Sequence, residues 1–368
     1  MSNLLSPAAA ELRRRASRAG SGGLLAWAAD RGSAGPRRWL QIALGVAWLL
    51  DAALQYQPFM FTRGFVTQIL DPAGVGSPAV ISHSVTGAGQ ILLSHVAVFN
   101  ALFATVQLAL GAGLLWRRTS RAALAGTIGW ALAVWWLGEG LGGILTGSAT
   151  PVTGAPGAAV LYAIIAVLAW PPRPGRQPPD GGHRSGAASS IAGGSRIGLR
   201  GAQLGWAAVW VSSAYFVVQA PDRTAGALHD TVAALAGGEP GWIAALDRAA
   251  AGAIGSGGTA VSVALAVVFL IIAAGVLVPA LLRPALILAA LAALLIWAVG
   301  EDFGEMLTGQ GTDPSTGPLL ILLAAASWPL SRSRRVASQG RATLPPTART
   351  GGPGQAPADR PQPGARPR

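Results

Sequence analysis

Cysteine is missing altogether from the 368 residues. Its absence excludes disulfides, thiolate-held metals, iron–sulfur clusters and thiol redox chemistry together. Lysine is missing too, so all 27 basic residues are Arg, which reflects a bias towards GC-rich codons. Histidine occurs four times, as His83, His95, His183 and His229, and no two are spaced as a metal-binding pair on one helix. Haem held between membrane helices needs two facing histidines, and only His95 lies near an apolar run. No Ser-His-Asp arrangement, phosphate loop or dinucleotide fingerprint is present, because the Gly-rich segments follow apolar runs instead of joining a strand to a helix. The chain is therefore expected to be no enzyme and to carry no resident cofactor.

Charged residues are also scarce, at 11% against 51% apolar residues, and mean hydropathy is +0.47. That is the profile of a membrane protein. Crossing roughly 30 Å of hydrocarbon takes about 20 apolar residues at 1.5 Å each. Eight stretches approach this: 39–57, 91–116, 122–137, 157–170, 202–219, 259–282, 284–299 and 319–328. The last of each set of four is short.

The chain repeats itself. Residues 138–154, GEGLGGILTGSATPVTG, return at 300–317 as GEDFGEMLTGQGTDPSTG. An offset of 162 pairs Glu139 with Glu301, Thr150 with Thr312 and, upstream without a gap, Trp48 with Trp210, Gln57 with Gln219 and Trp135 with Trp297. The expected fold is an all-α integral membrane protein with eight transmembrane helices as two parallel four-helix repeats. Its parts are an Arg-rich arm (1–38), a first membrane repeat (39–170), a flexible Pro/Gly/Ser-rich linker (171–199), a second repeat (200–330) and a disordered tail (331–368).

Eight spans starting from the Arg-rich arm put 24 of the 27 arginines on one side, leaving Arg63, Arg223 and Arg248 on the other with ten acids. By the positive-inside rule both termini are cytoplasmic, in a multi-pass protein of the cell membrane. The net charge of +12 then has a topological cause and does not point to nucleic acid. The Arg-rich termini are expected to meet anionic lipids of the bilayer.

Asp51 is the one acid well inside a predicted span, and an ionisable group there is a functional candidate by default. The alternative is a hydrogen bond to Asn100, Gln107, Gln55 or Gln57 on its own or a neighbouring helix. Asn100 and Gln107 pair with Ser262 and Phe269 of the copy, so intramembrane polarity is concentrated in the first half. Glu139 and Glu301 close the third helix of each half. They read either as a cation or polar-solute site at the outer mouth or as solvated acids where glycine ends a helix. An acid there opposes the helix dipole. Asp302, Glu305 and Asp313 thicken the second acidic group, with Glu301 and Glu305 one turn apart if the helix continues. Their spacing matches no calcium loop, and whether metal binds is open.

The hairpin GAGLLWRRTSRAAL at 111–124, with its copy GVLVPALLRPAL at 275–286, resembles that of the DoxX-like four-helix membrane proteins. The resemblance implies two such units in tandem and an accessory role in a membrane redox system, with a membrane protein partner. It carries no catalytic residue over. Three hypotheses follow: a protein that binds or transports a small cation or polar solute between the repeats, such an accessory subunit, or a non-catalytic membrane scaffold.

Overall fold

A computed structural model describes residues 35–171, 190–219 and 224–330. Most of the arm, the linker from 172 to 189 and the tail lie outside them. The chain divides into Met1–Leu330 and Ser331–Arg368, and only the first falls within the described residues.

The described residues are helical, with no strand among them. Helix α1, Pro36–Gln55, starts where proline's fixed φ suits a first turn, and its 20 residues reach about 30 Å. Leu40, Leu44, Trp48 and Ala52 recur at four-residue spacing on its buried face. Helices α2, Ala79–Ser94, and α3, Val96–Leu115, follow. The sequence reads 91–116 as one span, but the backbone breaks at His95 (φ −151°, ψ 58°), so residues 91–94 belong to α2. Then come α4, Ser120–Leu137, and α5, Ala158–Ala169. The second half holds α6, Gly198–Phe216, α7, Ala227–Leu235, and α8, Gly241–Ile254. It ends with α9, Gly258–Gly275, α10, Leu282–Leu295, continued as a π-helical turn Ile296–Gly300, and α11, Thr316–Ser327. Among the described residues three helical runs are long and apolar enough to cross a membrane: Val96–Leu115, Gly241–Gly275 and Leu282–Gly300. Helices α5 and α11 are apolar but shorter.

Packing in the two halves uses the same partners: α1 lies on α3 and α6 on α9, α4 on α5 and α10 on α11. Gly45 and Gly111 bring α1 and α3 close, since a Cβ on Gly111 would stand 2.9 Å from the Gly45 carbonyl oxygen. Helices α5 and α11 lie against each other, so one apolar core runs through both halves. A separate cluster, Met60, Phe65, Val66, Leu70, Ile81, Val85 and Leu92, forms under the loop that precedes α2.

At one end arginines act as C-caps. Arg37 donates to the carbonyls of Leu168 (2.6 Å), Trp170 (2.8 Å) and Ile191 (3.0 Å), and Arg38 donates to Leu114 (2.7 Å). Cations there satisfy the orphan carbonyls of α3 and α5 and complement their dipoles. The distal end of the expected flexible linker is not loose. Ser190, Ile191 and Ala192 are buried, and the Ala192 N–H donates to the Ala326 carbonyl at 2.9 Å. An apolar Ile-Ala pair inside the Gly/Ser run has core to join, which composition averaged over the segment hides.

Candidate functional site

The polar residues of α1 lie on its inward face. Asp51, 2% exposed, accepts a hydrogen bond from the Tyr162 hydroxyl of α5 at 2.8 Å. Tyr162 in turn lies 4.4 Å from Trp48, centroid to centroid, and the Trp48 indole N–H donates to Thr127 Oγ1 of α4 at 3.1 Å. Three helices are thus joined through one buried polar chain. The partner of Asp51 is none of the four amides expected from the sequence. Asn100 is instead committed to Gln55, donating to its backbone carbonyl at 2.9 Å and accepting from its side chain.

These groups line a cavity of about 390 Å³. Asp51, Gln55, Gln107, Glu139, Tyr162 and Asp313 supply its polar wall, and Phe65, Phe99, Phe103 and Trp130 are among the apolar residues of the rest. Of the residues singled out from sequence, Asp51, Gln107 and Glu139 come together here. Asn100 stands behind Gln55, and Glu301, Asp302 and Glu305 are not among the lining residues. Thr312 and Asp313 reach in from the second half. Among the described residues no basic side chain lines the cavity.

Glu139 and Glu301 are not simply solvated helix ends. Each reaches the start of the next helix. Glu139 Oε1 accepts from the Ala159 N–H at 3.0 Å, at the first turn of α5. Glu301 accepts from the N–H groups of Thr316 (3.1 Å) and Gly317 (3.0 Å), and from the Thr316 hydroxyl, at the first turn of α11. A carboxylate at a helix N-terminus satisfies orphan donors and has the favourable sign against the dipole, which reverses the electrostatic reading made from sequence position. The two differ in one respect. Both Glu301 oxygens are occupied, whereas Glu139 Oε2 is enclosed without a partner and Glu139 faces the cavity. Burial, then the nearby Asp313 charge, pushes the Glu139 carboxyl up to about 8, against the amides of Ala159 and Ala158. Burial also raises Asp313, opposed by hydrogen bonds from the Ser315 N–H (2.7 Å) and the Thr312 hydroxyl (2.9 Å).

The loops behind both glutamates share a strained backbone. Leu141 and Gly142 are left-handed (φ 61° and 62°), and so are their counterparts at the 162 offset, Phe303 and Gly304 (φ 55° and 76°). A Cβ on Gly142 would fall 1.9 Å from the Pro156 carbonyl oxygen, so glycine is required there by space as well as by φ. This turn ends the helix and parts the second acidic group. Glu305 does not continue one turn below Glu301 but stands exposed. Asp302, itself at φ 46°, turns towards Asp247 of α8. Asp302 is raised by burial first and by the Asp247 charge second. Among the described residues no three acidic or histidine side chains converge as metal ligands.

Sequence reading missed Tyr162 and the position of Asp313. Tyr162 had a signal, being the one polar side chain in the aliphatic helix AAVLYAIIAVLA. Asp313 had none, since only the tertiary packing brings a second-half loop to a first-half cavity. The second half has no counterpart of the polar chain. Ser213, in register with Asp51, bonds back to the Val209 carbonyl at 2.8 Å, and the indole N–H of Trp210, in register with Trp48, has no partner because Ala289 stands where Thr127 does. Comparison with family models, curated protein sequences and solved structures returns no match to this chain.

Proposed function

We propose that the chain is a multi-pass protein of the cell membrane that binds, and moves or senses, a small cation or polar solute in the cavity of its first half that a loop of the second half helps to line. The observation that carries this reading is the wall of one cavity holding Asp51, Glu139 and Asp313 with no basic side chain beside them among the described residues. Carboxyl groups drawn out of water are costly unless protonated or compensated, and a cationic ligand compensates all three. Gln107 adds a buried acceptor without a donor on the same wall. Supporting the membrane layout are the 162-residue register, the segregation of 24 of 27 arginines and the three long apolar runs. On this reading eight helices cross as two parallel four-helix repeats, both termini are cytoplasmic, and the Arg-rich termini rest on anionic lipid. Saturable cation binding by the purified chain, weakened at least tenfold in both Asp51→Asn and Asp313→Asn, is the expected result. Unchanged binding in both variants, or none in the wild type, would sink the proposal.

The apolar body of the cavity favours a second reading, that of an accessory subunit of a membrane redox system as the DoxX-like resemblance implies. Co-purification with an oxidoreductase from native membranes would support it.

A further inference from the structure

The cation reading leaves the ligand's chemistry open, and the cavity walls narrow it. The carboxylates surround a volume of about 390 Å³ instead of converging on a point, and among the described residues they form no metal-ligand group. Since a water occupies about 30 Å³ of liquid, this space suits an organic molecule better than a bare ion. Two buried acceptors on the wall, Gln107 Oε1 and Glu139 Oε2, have no donor, and Gln107 is only 9% exposed. A ligand that satisfies them must donate hydrogen bonds as well as carry positive charge. A primary ammonium has three N–H donors on a compact head; a quaternary ammonium has none. Trp48 and Tyr162, packed on each other with ring centroids 4.4 Å apart, line the wall with Asp51.

Part of the apolar wall of the cavity reaches the surface. Ile91 of α2 and Leu102 of α3 line it, yet are 63% and 54% exposed. Leu102 lies on the helix Val96–Leu115, long and apolar enough to cross a membrane, so the mouth opens on an apolar flank and not onto a charged surface.

Resting on the cation reading, we propose that the ligand is a protonated primary amine with an apolar body. Its ammonium lies among Asp51, Glu139 and Asp313 and donates to Gln107 Oε1, and its body leads out between Ile91 and Leu102. The second half contributes Asp313 to this site, so both halves are needed to bind.

The test is a titration of the full chain in lipid nanodiscs with methyl-, butyl-, hexyl- and octylammonium, and with hexyltrimethylammonium. Asp51→Asn is run in parallel and subtracted, which removes partition into lipid, and Asp313→Asn serves as the second variant in a loop if the first does not fold. The expected result is affinity rising about fourfold per methylene, the increment for burying one CH₂, until the cavity is filled. Hexyltrimethylammonium should bind at least tenfold more weakly than hexylammonium. Affinity independent of chain length, or equal binding of the trimethyl compound, overturns the amine proposal while leaving the cation reading in place. If neither these amines nor ammonium or sodium distinguishes wild type from both variants, the cation reading itself fails.

Discussion

Replacing each repeat-related glutamate by glutamine separates its two roles. At Glu301 both oxygens accept from the first turn of α11, with Gly317 N–H on Oε2 and Thr316 N–H and hydroxyl on Oε1. Glutamine offers one oxygen. Its amide nitrogen has no lone pair to give, so in either rotamer one buried backbone N–H loses its partner and faces another donor. An orphaned buried donor costs about 1–3 kcal/mol. At Glu139 a single oxygen is engaged, by Ala159 N–H, and the other points into the enclosed space with no partner. There the amide oxygen keeps the bond and the NH₂ group faces the cavity and Asp313, at a cost within about 0.5 kcal/mol. Thermal unfolding in detergent, followed by tryptophan fluorescence at pH 7, should therefore lower the midpoint for Glu301→Gln by at least about 2 °C and leave Glu139→Gln at or above wild type, because the amide cannot ionise in the unfolded chain as the Glu139 carboxyl does. Equal shifts, or a larger loss at Glu139, would refute the assignment of Glu301 as a helix cap and Glu139 as a cavity group.

The raised Glu139 carboxyl sets a pH dependence. The folded state binds this proton more tightly than the unfolded chain, so its contribution to stability falls as pH rises from about 4.5 to about 8; Glu139→Gln should flatten that part of the profile, and an unchanged slope would point to another group. Tyr162→Phe should cost about 1–3 kcal/mol by leaving a buried Asp51 oxygen without its donor, more than Asp51→Asn, whose amide oxygen still accepts from Tyr162; the reverse order in chemical denaturation would count against the pair. Gly142→Ala should lose more than about 2 kcal/mol, because a left-handed φ and a 1.9 Å contact with the Pro156 carbonyl oxygen coincide. Gly129→Ala, with open space around it on α4, should gain about 0.5–1 kcal/mol.

What could be read beforehand followed from local periodicity and register. Apolar runs located the helices, because burial along 20 residues leaves a trace in the sequence whatever surrounds them. Asp51 stood out for the same reason, as an acid in an apolar run. The partners of the acids were not legible. Glu139 and Glu301 look exposed by position, at the end of a helix, and only the return of the chain shows that they bind the start of the next. Likewise the acidic group of 301–313 is dense in sequence and dispersed in space, since left-handed residues at 302, 303 and 305 send successive carboxylates different ways. Nothing in one residue's neighbours encodes a turn of that kind when the residues are not glycine.

The glutamate-to-amide contact also frees the chain between its two ends. In the first half the acid and the amide it holds are Glu139 and Ala159; in the second they are Glu301 and Gly317. The acids keep the offset of 162, but the helices that follow sit at 158, with Trp170 answered by Trp328. Four residues have come or gone between Thr150 and α5, relative to Thr312 and α11, without moving the contact. When a side chain and not a loop fixes where a helix begins, the connecting segment is open to insertion and deletion. The exposed tips at Ser148 and Gln310 are accordingly where this scaffold can be lengthened or grafted while its helices keep their places, clear of the buried Val152 and of Asp313 on the cavity wall.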